Sequence, residues 1–182
     1  MDRLHSVFRR LIAVLLPVST LLVVLAAAAC YSTSPHVIDA SSVELTHTEG
    51  DPYARCSSET AEKLVRRANQ VRRKEGLPEL FCHPGLAGVA EAHARDMCKK
   101  DYIDHVSESG TTPATRVRRA GIDYTAVGEN IAVGHKDVQE VHTAWMESPP
   151  HRANIMRSFF SRIGIGYYLC DGRPYWVQVF AN

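Results

Sequence analysis

Apolar residues along this chain form one long uncharged run near the start and then settle into helical and strand rhythms. Leu11 to Ala29 carry no charged side chain and end in the small residues Ala26 to Ala29 before Cys30, while Arg3, Arg9 and Arg10 precede them. A basic leader, an apolar stretch and a small-residue end make an export signal, which is set aside from fold reasoning. A retained membrane anchor is the alternative, since the run approaches the roughly 20 residues that span a bilayer. Pro17 interrupts the run, however, and the alanines suit a signal peptidase better than a span. Residues 31–55 show no sustained apolar period and are rich in Ser, Thr and turn formers, so residues 30–55 read as a tether. At about 3.3 Å per extended residue it reaches up to roughly 80 Å.

From Cys56 the period becomes helical. Ala61, Leu64, Val65, Ala68 and Val71 form one stripe, with Glu59 and Glu62 in the first turn and Gly76 and Pro78 as the stop. The basic cluster Arg66, Arg67, Arg72, Arg73 and Lys74 reads as a solvated face. A second helix opens at Pro84 with Leu86, Val89, Ala90, His93, Ala94 and Met97 as its stripe, which makes His93 a hydrogen-bonded core histidine. Asp137 and Glu140 cap a third helix through Val138, Val141 and Trp145, and Pro150 starts a short one through Met156. A strand is expected around residues 128–133. Ile163 to Cys170 and Pro174 to Ala181, joined by Asp171-Gly172, read as a β-hairpin. These elements predict an α+β fold, an antiparallel sheet between helical layers, over residues 56–182.

Composition sharpens this reading. The 182 residues suffice for one domain with extras, and 45% apolar with 23% charged residues is globular. Removing residues 1–29 takes away three Arg and Asp2, leaving 18 basic and 19 acidic side chains, so no nucleic-acid partner is implied. Ala27-Ala28-Ala29-Cys30 resembles a bacterial lipobox, in which Cys30 is the lipidation site; ordinary cleavage after an Ala-x-Ala site is the alternative. The other four cysteines suit disulfides in an oxidising compartment. Cys82 and Cys98 bracket the second helix, more than about 20 Å apart, too far to bridge. If the first two helices form an antiparallel hairpin, Cys56 meets Cys98 and Cys82 takes Cys170.

The chain has no His-Glu-x-x-His, no Gly-x-Ser-x-Gly and no phosphate-cradling glycine loop. It does carry, in order, Tyr102-Ile103-Asp104-His105, Gly128-Glu129-Asn130-Ile131, the segment Trp145 to Met156, Ile163-Gly164-Ile165-Gly166 and Tyr175 to Phe180. This series resembles the CAP superfamily, also called SCP-like or PR-1-like proteins, in its compact bacterial form, over about residues 57–182. The resemblance implies an α-β-α sandwich and a cleft of two histidines and two glutamates that in some members binds a divalent metal such as zinc. His105 and His151 match the histidines, the metal-ligand candidates; Glu129 matches the first glutamate, and Asn154 a polar position after His151. The second glutamate falls on Ser148, with Glu147 one residue early and turned by about 100° on a helix. Pro150 replaces the usual glycine.

The imidazoles are good zinc ligands, and a carboxylate can orient a bound water. The first turn of a helix would keep His151 neutral. A hydrogen-bonded structural network of His105, Glu129 and His151 is the alternative to a ligand cleft. Trp145, Tyr175, Trp176 and Phe180 read as core packing rather than a carbohydrate platform. The expected function is an exported binding or interaction module of the cell envelope, secreted or anchored to the membrane through Cys30, whose ligand is a lipid, a cell-wall component or a protein. The alternatives are a metal-dependent hydrolase with catalytic candidates His105, Glu129 and His151, in which Glu129 is the base, and a lipid or sterol carrier.

Overall fold

The computed structural model describes residues 50–182; the export segment, Cys30 and the tether up to residue 49 lie outside the described residues. In chain order the elements are α1 (Glu59–Lys74), β1 (Phe81–Cys82), α2 (Pro84–Lys100), α3 (Pro113–Arg119), β2 (Val127–Val133), α4 (Val138–Glu147), α5 (Pro149–Met156), β3 (Arg162–Cys170) and β4 (Arg173–Ala181). The sheet order is β1-β3-β4-β2. It is antiparallel except at its edge, where the two residues of β1 run parallel to β3.

Alternation along β4 sorts the core into two layers. Trp176 and Phe180 face α1, α4 and α5, where Leu64, Val65, Trp145 and Ile155 are buried. Tyr175, Val177, Val179 and Ala181 face α2 and α3, against Leu86, Ala90, Met97 and Val117. This is the expected α+β sandwich, and the four aromatic residues read as core are all buried. The β3–β4 turn places Asp171 and Gly172 at φ of 50° and 78°, the left-handed pair that a two-residue hairpin of type I′ requires. Gly164 and Gly166 let α2 lie directly on β3: a Cβ on either would stand 2.1–2.2 Å from the helix backbone at Leu86 and Ala90.

Three expectations are corrected. Helices α1 and α2 are not a hairpin; they lie on opposite faces of the sheet. Residues 78–82 run back beside α1, pinned where Arg72 Nε donates to Pro78 O (2.7 Å) and Asn69 exchanges hydrogen bonds with Leu80 (2.8 and 3.0 Å). Cys82 therefore returns to the head of α1 and bonds Cys56, not Cys170. The far end of α2 bonds Cys98 to Cys170, not to Cys56. Arg72, read as part of a solvated face, is buried and donates to the carbonyls of Pro78, Ile155, Arg157 and Phe160, tying α1 to the end of α5. Finally, the ordered fold begins ahead of Cys56. Pro52 is buried with its carbonyl accepting from the Cys82 N–H (2.8 Å), and the Arg66 guanidinium stands 3.8 Å over the Tyr53 ring.

Candidate functional site

The site lies along β2, the edge strand opposite β1. Asn154 Nδ2 donates to the Glu129 carbonyl (3.0 Å) and Trp145 Nε1 to the Ile131 carbonyl (3.2 Å), so side chains from α5 and α4 cap backbone acceptors of the exposed edge. Asn154 Nδ2 also donates to Asn130 Oδ1 (2.9 Å), and Asn130 Nδ2 donates to the His151 carbonyl and to Gln178 Oε1 (both 3.1 Å). Asn154 thus locks the α5 backbone to β2 through its amide. Alternation sends the Glu129 side chain to the other face, towards α2 and α3.

There Glu129 is 1% exposed and engaged at both oxygens. Oε1 accepts from His105 Nδ1 at 2.8 Å and Oε2 from Arg116 Nη2 at 2.8 Å. His93 lies behind, its Nε2 3.7 Å from Oε1 and donating to the Asp104 carbonyl at 3.0 Å. Burial holds His93 below the ordinary histidine value, so it is the expected core histidine, and it also supports the loop that carries His105. That loop connects α2 to α3, and 46% of the His105 side chain stays open to solvent. The Glu129 carboxylate on its Nδ1 raises the His105 pKa against the opposing pull of burial. His151, half-buried in the first turn of α5, is shifted downward, by burial first and then by the charge of nearby His105.

The structure therefore joins His105 to Glu129 and brings His151 beside them. Glu147 is exposed at the end of α4, and among the described residues no hydrogen bond or ion pair links it to these three. Sequence reasoning missed Arg116. Its helix, α3, has seven residues and one buried apolar side chain, Val117, too few for a period; Thr112-Pro113 as N-cap and first residue was the available signal.

The donor set decides what metal chemistry fits. Catalytic zinc usually takes three protein ligands, and among the described residues no group of three or more His, Cys, Asp or Glu side chains could hold a metal ion. His105 and His151 supply two imidazoles, short of that count. The Glu129 carboxylate accepts from His105 Nδ1, so Nε2 is the ring nitrogen that Glu129 does not engage. An open cleft of about 630 Å³ lies elsewhere, along α1 beside Lys63, Arg66 and Arg67, and contains no histidine.

The sequence model of the cysteine-rich secretory protein family, CAP, matches residues 65–180. Among curated relatives, YkwD of Bacillus subtilis is 40% identical over 118 residues, 65% of this chain and 45% of that protein. The membrane protein YlbC of the same organism is 31% identical over 122 residues, 66% of this chain and 34% of that protein. The match thus spans less than half of either relative. Among solved structures, an extracellular SCP-domain protein of Bacillus anthracis aligns with a TM-score of 0.63 at 30% identity, covering 66% of this chain and 39% of that one. An outer surface protein of Borrelia burgdorferi aligns with a TM-score of 0.65 at 25% identity, covering 69% of this chain and 93% of that one. Sequence match, sandwich topology and the order of site residues agree: this chain belongs to the CAP, or cysteine-rich secretory protein, family.

Proposed function

We propose that this chain is an exported binding module of the cell envelope whose ligand cleft is formed by His105 and His151 and braced by Glu129. Export is supported by the pattern of residues 1–29, by two disulfides, and by structural neighbours described as extracellular and outer-surface proteins. A lipid at Cys30 would keep the module at the membrane; cleavage without lipid would release it. The observation that carries binding over hydrolysis is the state of Glu129. A general base must reach the proton it abstracts, and the Glu129 side chain is 1% exposed with its oxygens accepting from His105 and Arg116. A divalent metal such as zinc, where bound, would be held by His105 and His151 and would supply an electrostatic anchor for a ligand; Glu129 orients His105, and His93 steadies its loop.

The test pairs metal analysis of purified residues 31–182 with assays on peptide, ester and cell-wall substrates. Substoichiometric zinc and no turnover are expected. Stoichiometric metal with turnover abolished in Glu129→Gln would establish the hydrolase instead. A lipid carrier is favoured by one separate feature, a mainly apolar groove of about 390 Å³ between α2 and α3, lined by Gly85, Gly88, Val89 and Ala92 with Arg116 and Arg119 on its α3 side; retention of radiolabelled lipid by the purified protein would show it.

A further inference from the structure

The cleft of about 630 Å³ along α1 carries four cations in its walls, Lys63, Arg66, Arg67 and Arg73, against one carboxylate, Glu79. From Lys63 the other three stand at i+3, i+4 and i+10, with Gln70 at i+7, so they share one helix face over about 15 Å at 1.5 Å per residue. Lys63 and Val138 also border a second cleft, of about 360 Å³, which extends the path to Lys136 and the Tyr167 ring.

Three of the four cations have partners at the surface. Lys63 pairs with Glu59 at 2.6 Å, Arg66 with Glu62 at 2.7 Å and Arg73 with Glu79, and each cation keeps more than half of its side chain in solvent. Exposed pairs of this kind are weak, so an anion from outside exchanges with the carboxylate at little cost. Arg67 differs. It is half-buried, and among the described residues it makes no ion pair. Its charge instead reaches the buried His142 of α4, whose Nδ1 has no partner. A partly desolvated guanidinium without a counter-charge is unfavourable, and the fold supplies none here.

The spread of the cations decides the kind of anion. A lone phosphate is met by donors converging on one point, whereas these follow the helix turn by turn and face a chain of repeated charges. The arginine fork matches the oxygens of phosphate. We propose that this cleft binds a linear polyanion with a phosphate in each repeat, with Arg67 at the centre and Lys63, Arg66 and Arg73 to either side. The site shares no lining residue with His105 and His151 and needs no metal.

The test is calorimetric titration of residues 31–182 with long-chain inorganic polyphosphate at about 0.05 M and about 0.2 M salt. Orthophosphate and phosphatidylglycerol vesicles are separate arms. Polyphosphate is expected to bind, and more weakly at the higher salt. Arg67→Gln is expected to weaken binding at least about fivefold and to lower the slope of log affinity against log salt by about one. Lys74→Gln removes the same charge from the same helix outside the cleft and is expected to change neither. Circular dichroism checks folding, and Arg66→Gln, at an exposed position, reads the same loss if Arg67→Gln does not fold. No binding of polyphosphate at the lower salt overturns the proposal, and so does an equal loss in Lys74→Gln and the cleft variants. Orthophosphate bound as tightly as the polymer, or vesicles bound in place of it, overturns the linear polyanion as the ligand.

Discussion

His142 sits buried on α4 with its Nδ1 unpartnered, facing α1 at Arg67, and burial together with that positive charge lowers its pKa to about 4. Below the ordinary value of 6.5 the unfolded chain takes up a proton that the folded chain refuses until about pH 4. Stability from this group is therefore complete above pH 6.5 and falls as the pH drops from 6.5 to 4, by on the order of 2–3 kcal/mol. Urea unfolding of His142→Leu should show a shallower loss between about pH 7 and 4.5 than the unaltered protein; an unchanged loss would show that other groups carry the acid sensitivity. Arg72 gives a second prediction at this scale. Arg72→Met removes the guanidinium donor from four carbonyls, of which Arg157 keeps the Phe160 N–H, and should cost about 3–5 kcal/mol, read as a lower urea midpoint. Single residues were legible in the sequence where their type restricts their place. His93 and the buried aromatics fall in apolar stripes, and His105, Glu129 and His151 stand in motifs. Arg72 was not legible, because a buried arginine is indistinguishable by type from the exposed Arg66 and Arg73 beside it.

At the scale of elements, the two glycines of β3 explain the cysteine pairing. Leu86 of α2 stands over Gly164 and Ala90 over Gly166, so helix and strand run in the same direction in direct contact. From Leu86 to Cys98 is about 18 Å at 1.5 Å per helical residue, and from Gly164 to Cys170 about 20 Å at 3.3 Å per strand residue. The two cysteines thus arrive together, with Cα atoms 5.9 Å apart. The helices, the hairpin and β2 were legible because each carries a sustained period or a turn pair. The partner of each helix was not, since apolar stripes do not say which face of the sheet they cover, and the hairpin assumption gave the wrong disulfides. Non-reducing peptide mapping should find Cys56 with Cys82 and Cys98 with Cys170; Cys56 joined to Cys98 would contradict the packing. Gly166→Ala should destabilise by more than about 3 kcal/mol, because its Cβ would meet the α2 backbone rather than a movable side chain.

For the whole molecule, the sandwich holds the candidate site by clamping one edge strand from both faces. Asn154 and Trp145 grip β2 from the side of α5 and α4, while Arg116 of α3 and His105 of the α2–α3 loop hold Glu129 from the other face. Among the described residues no helix is long and apolar enough to cross a membrane. The family, the sandwich and three site residues were legible in the order of short motifs. The charge state of the site was not, because it depends on Arg116, which reaches Glu129 from a helix too short to leave a pattern. The central claim is that His105 and His151 together form the ligand cleft. Titrating residues 31–182 with Zn²⁺ tests it most directly when repeated on His105→Ala and on His151→Ala. The account predicts weak binding in the unaltered protein that falls at least about tenfold in each variant; binding of equal strength in all three proteins would contradict it.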